Sequence, residues 1–126
     1  MSERIGILKP DFEFSDERGF LCQLVHEGYK QVNVVISEAG EKRGGHYHKF
    51  NEEAFYVVEG SFDVSVTDGV TRESFHFQKG DMFVIRKGVA HDFFYREKSI
   101  LVGLYDVGVV LADGTKDIIS VDTAAT

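Results

Sequence analysis

At 126 residues the chain has the length of one domain, and its 43% apolar residues, with 11 Phe and 5 Tyr, suffice for a packed core and exclude a disordered chain. A net charge of −7 leaves little cationic surface to neutralise a phosphate backbone, so nucleic acid is not an expected partner. With a single cysteine, Cys22, no run of eighteen apolar residues and no signal-like stretch in MSERIGILKP, the expectation is a soluble cytoplasmic domain without a membrane partner.

Along the chain, short apolar–polar alternations are punctuated by turn residues, and no long stretch carries a 3.6-residue apolar period. Residues 1–30 have strand-like content of uncertain limits, least clear around 21–26. Strands are predicted over 31–37, 44–48 and 53–58. In SFDVSV (61–66), Phe62, Val64 and Val66 share one face and Asp63 and Ser65 the other, and Thr67-Asp68-Gly69 supplies a hairpin turn. In ESFHFQ (73–78), Phe75 and Phe77 oppose Ser74, His76 and Gln78, and Lys79-Gly80-Asp81 is the next turn. Further strands are predicted over 82–86, 91–95, 99–105 and 117–121, and VDTAAT (121–126) reads as a loose end. Many short strands at near-regular spacing suggest an all-β sandwich or barrel, which holds ligands in its interior or mouth.

The chemistry concentrates in GEKRGGHYHKFNEEAFYVVEG, residues 40–60. His46 and His48 stand two apart, so on a strand both imidazoles face the same way. Taken alone, such a pair is more often two polar surface residues. Here Glu53 opens the next strand and His91 opens the later segment HDFFY, so three imidazoles and a carboxylate can converge. This mixed nitrogen and oxygen set suits Zn, Fe, Mn, Ni, Co or Cu. Glu52 competes with Glu53, but alternation groups Glu53 with Phe55 and Val57, and Glu52 with Ala54 and Tyr56, which favours Glu53 as the ligand.

Phe93 and Tyr95 share parity with His91 and should line the same cavity, Phe93 as packing or substrate contact and Tyr95 as a candidate acid. Tyr105 is a second candidate acid, and Glu52 a candidate base. Arg43 and Lys49 flank the histidine pair and can meet an anionic substrate or form a charged rim. His76 reads as a surface residue, Cys22 as a small buried hydrophobe, and His26 has no partner in sequence.

Residues 40–60 resemble the first motif of the cupin family: glycine, five residues, His-x-His, four residues, Glu, six residues, glycine, filled by Gly40, His46, His48, Glu53 and Gly60. Residues 80–95 resemble its second motif through Gly80, Gly88 and His91, with Arg86 where proline is usual and Tyr95 where asparagine is frequent. The resemblance implies one cupin domain over 1–126, an all-β double-stranded β-helix (jelly-roll barrel), with one divalent metal ion per chain (Zn, Ni, Fe or Mn). It also implies a homodimer, with the N-terminal strands within 1–30 available for exchange.

A second resemblance joins SDERGFLCQL (15–24) to the N-terminal signature of sugar-nucleotide 3,5-epimerases and of capsular polysaccharide sugar-nucleotide epimerases. In the latter group Gly45, His46, Tyr47, His48 and Asn51 also have counterparts. Related 3,4-ketoisomerases share the Arg-Gly pair, but tend to lack the acidic ligand and to carry a tyrosine on the preceding strand, where this chain has Glu53 and Asn33. The resemblance implies an isomerase or epimerase acting on a nucleotide-linked 4-keto-6-deoxy sugar, with Arg18 against the pyrophosphate. Two alternatives stand beside it: a metal-dependent oxygenase of a small organic acid or thiol, and a non-catalytic sugar-binding protein.

Overall fold

The computed structural model describes residues 2–122. The end of the predicted loose tail, 123–126, lies outside the described residues. Twelve strands follow one another: β1 (Ile5–Leu8), β2 (Phe12–Asp16), β3 (Gly19–Gln23), β4 (Gln31–Ser37), β5 (Lys42–Tyr47), β6 (Glu53–Glu59), β7 (Ser61–Thr67), β8 (Arg72–Gln78), β9 (Met82–Ile85), β10 (Ala90–Tyr95), β11 (Ser99–Tyr105) and β12 (Ile119–Ser120). Two five-stranded sheets, ordered β1-β9-β6-β11-β4 and β12-β5-β10-β7-β8, face each other, and β2-β3 form a separate hairpin. Every pairing is antiparallel. This is the expected all-β jelly roll.

Strands 31–37 and 99–105 have the predicted limits. The 44–48 strand starts earlier, at Lys42, and stops at Tyr47, whereas the 117–121 strand shrinks to Ile119–Ser120. The strand-like content of 1–30 resolves into β1, which pairs with β9 of the same chain, and the β2-β3 hairpin.

The alternating faces pack as the pattern dictates. Phe62, Val64 and Val66 are fully buried between the sheets, with Phe55, Phe77, Phe83 and Phe93. Each such side chain contributes roughly 1.5–3 kcal/mol of transfer free energy. Phe77 and Phe83 stack with centroids 3.9 Å apart, and Phe93 is the ring that reaches toward His91, at 5.9 Å. Phenylalanine thus fills the barrel up to the histidines. The outer face of the first sheet is also covered: Ala54, Val84 and Leu104 pack beneath Leu8, Val25 and Tyr29. That second layer explains why Ala54 is buried although it alternates with Glu53 and Phe55.

Candidate active site

Two cross-strand pairs place the ionisable groups. On the second sheet His46 of β5 stands directly opposite His91 of β10. On the first sheet Glu53, the first residue of β6, stands opposite Tyr105, the last residue of β11. His48 follows β5, three residues before the buried Asn51 that anchors the loop to β6. The facing ends of the sheets therefore bring together groups from four segments.

A glycine gives them room. A Cβ on Gly44 would lie 2.4 Å from the His91 carbonyl oxygen, where β5 carries Gly45 as an extra residue between the partners of His91 and Asp92. Gly44 also has φ +132°, a conformation that favours glycine. A Cβ on Gly103 would sit 3.5 Å from Glu53 Oε2, an ordinary contact, so that position does not require glycine.

The ligand atoms of His46, His48 and His91 all lie within 4.8 Å of one another, and Glu53 Oε1 is 3.1 Å from His48 Nε2. Ligands about 2.1 Å from a common ion stand roughly 3.0–3.4 Å apart as neighbours and about 4.2 Å apart across it, so a shift of a few tenths of an ångström brings these groups into range of one divalent cation. Two of the rings are anchored on their other side by a main-chain carbonyl. His48 Nδ1 donates to the Asp117 oxygen at 2.7 Å and His91 Nδ1 to the Val89 oxygen at 3.2 Å. Histidines that bind metals are held this way, with one nitrogen fixed and the other presented.

Burial pushes the His91 imidazole down to about 3, and the neighbouring histidines add to it. Burial and then the His48 ring lower His46 as well, so both are neutral donors at pH 7. For His48, burial acts in the same direction, but the hydrogen bonds to Glu53 and to the Asp117 carbonyl outweigh it, and the ring holds its proton above the ordinary range. Burial and then the Glu53 carboxylate raise the Tyr105 phenol far above its usual range. Burial likewise raises Tyr95, opposed by a hydrogen bond from Ser37 and by the Arg43 charge.

A cavity of about 150 Å³ opens on this cluster. His46, His91 and Glu53 line it, with Arg43, Phe93, Tyr95 and Tyr105, while buried His48 stands behind. Arg43 is fixed at its edge, Nε donating to Ser37 Oγ at 2.7 Å and Nη2 to the Ile36 oxygen at 3.3 Å. A larger groove of about 780 Å³ runs between residues 7–13 and the β8–β9 turn. His76 is the one imidazole lining it, and among the described residues the histidine cluster able to hold a metal lies at the smaller cavity instead.

Three expected site residues are not brought there. Glu52 precedes β6, does not line the cavity and pairs with Arg86 at 3.2 Å. Lys49 projects over the Phe50 ring at 5.5 Å. Arg18, at the tip of the β2-β3 hairpin, pairs with Asp16 and is 79% exposed, so it does not reach the cavity of its own chain. Cys22 is only half-buried, beside Tyr56. His76 is exposed as expected, and His26 pairs with Asp11. Sequence reading missed Asp117 and Ser37. Asp117 lies 66 to 68 residues from the backbone it binds, so no local pattern marks it.

Residues 33–105, more than half of the chain, match the family described as Cupin domain. No curated protein matches the sequence. Among solved structures the chain is similar to the WlaRB TDP-quinovose 3,4-ketoisomerase of Campylobacter jejuni, at 21% identity over 94% of both chains, with a TM-score of 0.80. It is similar to a 3,4-ketoisomerase from Helicobacter canadensis, at 20% identity over 91% of this chain and 89% of that one, with a TM-score of 0.75. It is also similar to dTDP-4-dehydrorhamnose 3,5-epimerase from Sulfolobus tokodaii, at 22% identity over 83% and 71%, with a TM-score of 0.70. At these identities the likeness is one of fold.

Proposed function

The chain belongs to the cupin family, and on that premise we propose that it is an isomerase or epimerase of a nucleotide-linked 4-keto-6-deoxy sugar, with one divalent metal ion held by His46, His48, His91 and Glu53. The observation that carries the metal is the convergence of three imidazoles, two of them anchored by main-chain carbonyls, with a carboxylate beside them. The substrate class is supported by the names of the structural neighbours, TDP-sugar 3,4-ketoisomerases and a 3,5-epimerase. It is supported too by the 15–24 signature.

A bound ion would polarise the ketone oxygen next to the exchanging C–H, as a Lewis acid. Tyr95 on β10 and Tyr105 on β11 enter the cavity from opposite sheets, so a phenol stands on either side of a sugar ring. Both phenols are neutral at pH 7 and can donate a proton to the carbon or to the oxygen. Arg43 offers a fixed guanidinium to an anionic part of the substrate. At about 150 Å³ the cavity is smaller than the ~300–1,000 Å³ typical of whole-ligand pockets, so only the reacting sugar enters and the nucleotide lies across the mouth.

The test is incubation with a dTDP-4-keto-6-deoxy sugar in deuterated water, followed by NMR. Deuterium appearing beside the ketone is expected. Neither binding nor exchange would remove the proposal. The same small cavity with its one arginine also suits a small organic acid, which keeps an iron oxygenase as the second reading. Iron-dependent oxygen uptake without sugar exchange would favour it.

The protein also acts as a homodimer in this proposal. Val32, Val34 and Ile36 on the outer face of edge strand β4 are 60%, 67% and 53% exposed, and Phe12, Phe14 and Leu21 of the hairpin add to this apolar surface.

A further inference from the structure

The return of the chain after β11 ends on a carboxylate that has no counterpart in the ligand set. Asp117 is 3% exposed, and its two oxygens accept four hydrogen bonds: Lys49 N at 2.7 Å, Phe50 N at 2.9 Å, Asn51 N at 3.0 Å and Asn51 Nδ2 at 2.8 Å. These donors belong to the short loop that joins His48 to Glu53. The main-chain oxygen of the same residue takes the His48 Nδ1 proton at 2.7 Å. Asn51 closes the ring, since its Oδ1 accepts from Val107 N and Gly108 N and its Nδ2 donates to the Gly108 oxygen. One residue therefore fixes both the loop between two ligands and the ring of one of them.

We propose that Asp117 is the positioning residue of the site: it clamps the 49–51 loop and fixes His48 with Nδ1 protonated, so that Nε2 is presented to the ion beside Glu53. The proposal rests on the metal reading above. Its carboxylate acts through backbone N–H groups, and its carbonyl acts through His48, so Asp117 touches neither ion nor substrate.

The test uses long-range 1H–15N imidazole spectra of the full chain, metal-free and zinc-loaded, together with zinc affinity by chelator competition. In the wild type a His48 Nδ1 proton is expected in both forms, protected from exchange. Asp117→Ala is expected to lose that protection and to bind zinc about 10–100-fold more weakly, the range for outer-sphere partners of metal ligands. Strand amide signals should stay in place, and Asp113→Ala, in the exposed turn of the same segment, should behave as wild type. If Asp117→Ala loses its strand amides, Asp117→Asn, which keeps the shape and one acceptor oxygen, is expected to show a smaller loss of the same kind. Unchanged zinc affinity and an unchanged His48 proton in the folded variant would overturn the proposal, as would a wild-type His48 with its free lone pair on Nδ1. A wild type that binds no zinc sinks the metal reading and, with it, Nε2 presentation, whereas the metal-free spectrum separately decides whether Asp117 fixes the ring.

Discussion

Replacing Gly44 by alanine tests the link between backbone packing and the site. The new Cβ would stand 2.4 Å from the His91 carbonyl oxygen and 2.7 Å from the Asp92 Cα. Both are backbone atoms that cannot rotate away, so β5 and β10 must part where the β5 bulge faces His91 and Asp92. Backbone strain at φ +132° costs about 1–3 kcal/mol, and the forced displacement adds about 1–3 kcal/mol. The expected destabilisation is thus about 2–6 kcal/mol. With an unfolding entropy of ~2.1 cal/mol/K per residue, each kcal/mol shifts the Tm of 126 residues by about 4 °C, so a fall of roughly 8–24 °C is expected. Gly69→Ala isolates the strain, because Gly69 has φ +92° with nothing within 4 Å of an added Cβ. Calorimetry of both variants, with zinc titration of each, reads the result. Gly44→Ala should melt well below Gly69→Ala and bind zinc more weakly, since His91 has moved. Equal melting of the two, or wild-type zinc affinity in Gly44→Ala, would refute the reasoning.

Four further outcomes are expected. Protein purified without chelator should carry about one divalent ion per chain; elemental analysis should find it absent from His48→Ala, and a metal-free wild type would count against the site. Tyr105→Phe removes the phenol that hydrogen-bonds Glu53, and kcat for proton exchange should fall about 10²–10⁴-fold with Tm nearly unchanged; an unaltered kcat would remove Tyr105 as a proton donor. The Asp68 carboxyl is held at about 2, below its ordinary 3.8, by the Thr71 and Val70 backbone N–H groups and by Arg4. A depressed carboxylate stabilises the fold above its unfolded pKa, and that contribution disappears as pH falls from about 4 through about 2. Urea midpoints of Asp68→Asn should therefore depend less on pH across that window than those of the wild type, and parallel slopes would contradict the hydrogen-bond assignment. Val34→Lys places a charge on the exposed face of β4 and should yield monomers in sedimentation, whereas a monomeric wild type would remove the dimer itself.

Alternation made much of this legible in advance. Inward positions at Phe62, Val64 and Val66 follow from period two, and the same parity separates Glu53, in the cavity, from Glu52, on Arg86. Parity failed where a third layer intervenes. Ala54 has the outward parity yet is fully buried, because residues 24–30 cover the first sheet from outside. Proximity in sequence also misled. Lys49 follows His48 directly, but lies past the end of β5, where strand alternation no longer fixes direction. Arg86 shows what replaces the usual proline: its backbone N–H donates to the Arg4 oxygen at 3.0 Å, a bond proline cannot make, so β1 gains an anchor.

The arrangement also explains why so few residues suffice. A cross-strand pair fixes two side chains with one register, and the site uses two such pairs, His46 with His91 and Glu53 with Tyr105. The sheets that carry them are held apart by phenylalanine packing, not by the ligands. His48 is the exception, lying beyond the last residue of β5, where no ladder bond sets its ring. Its orientation must come from elsewhere, and the Asp117 carbonyl at 2.7 Å is the group that supplies it. Without that anchor nothing would hold Nε2 beside Glu53 and toward the other two rings.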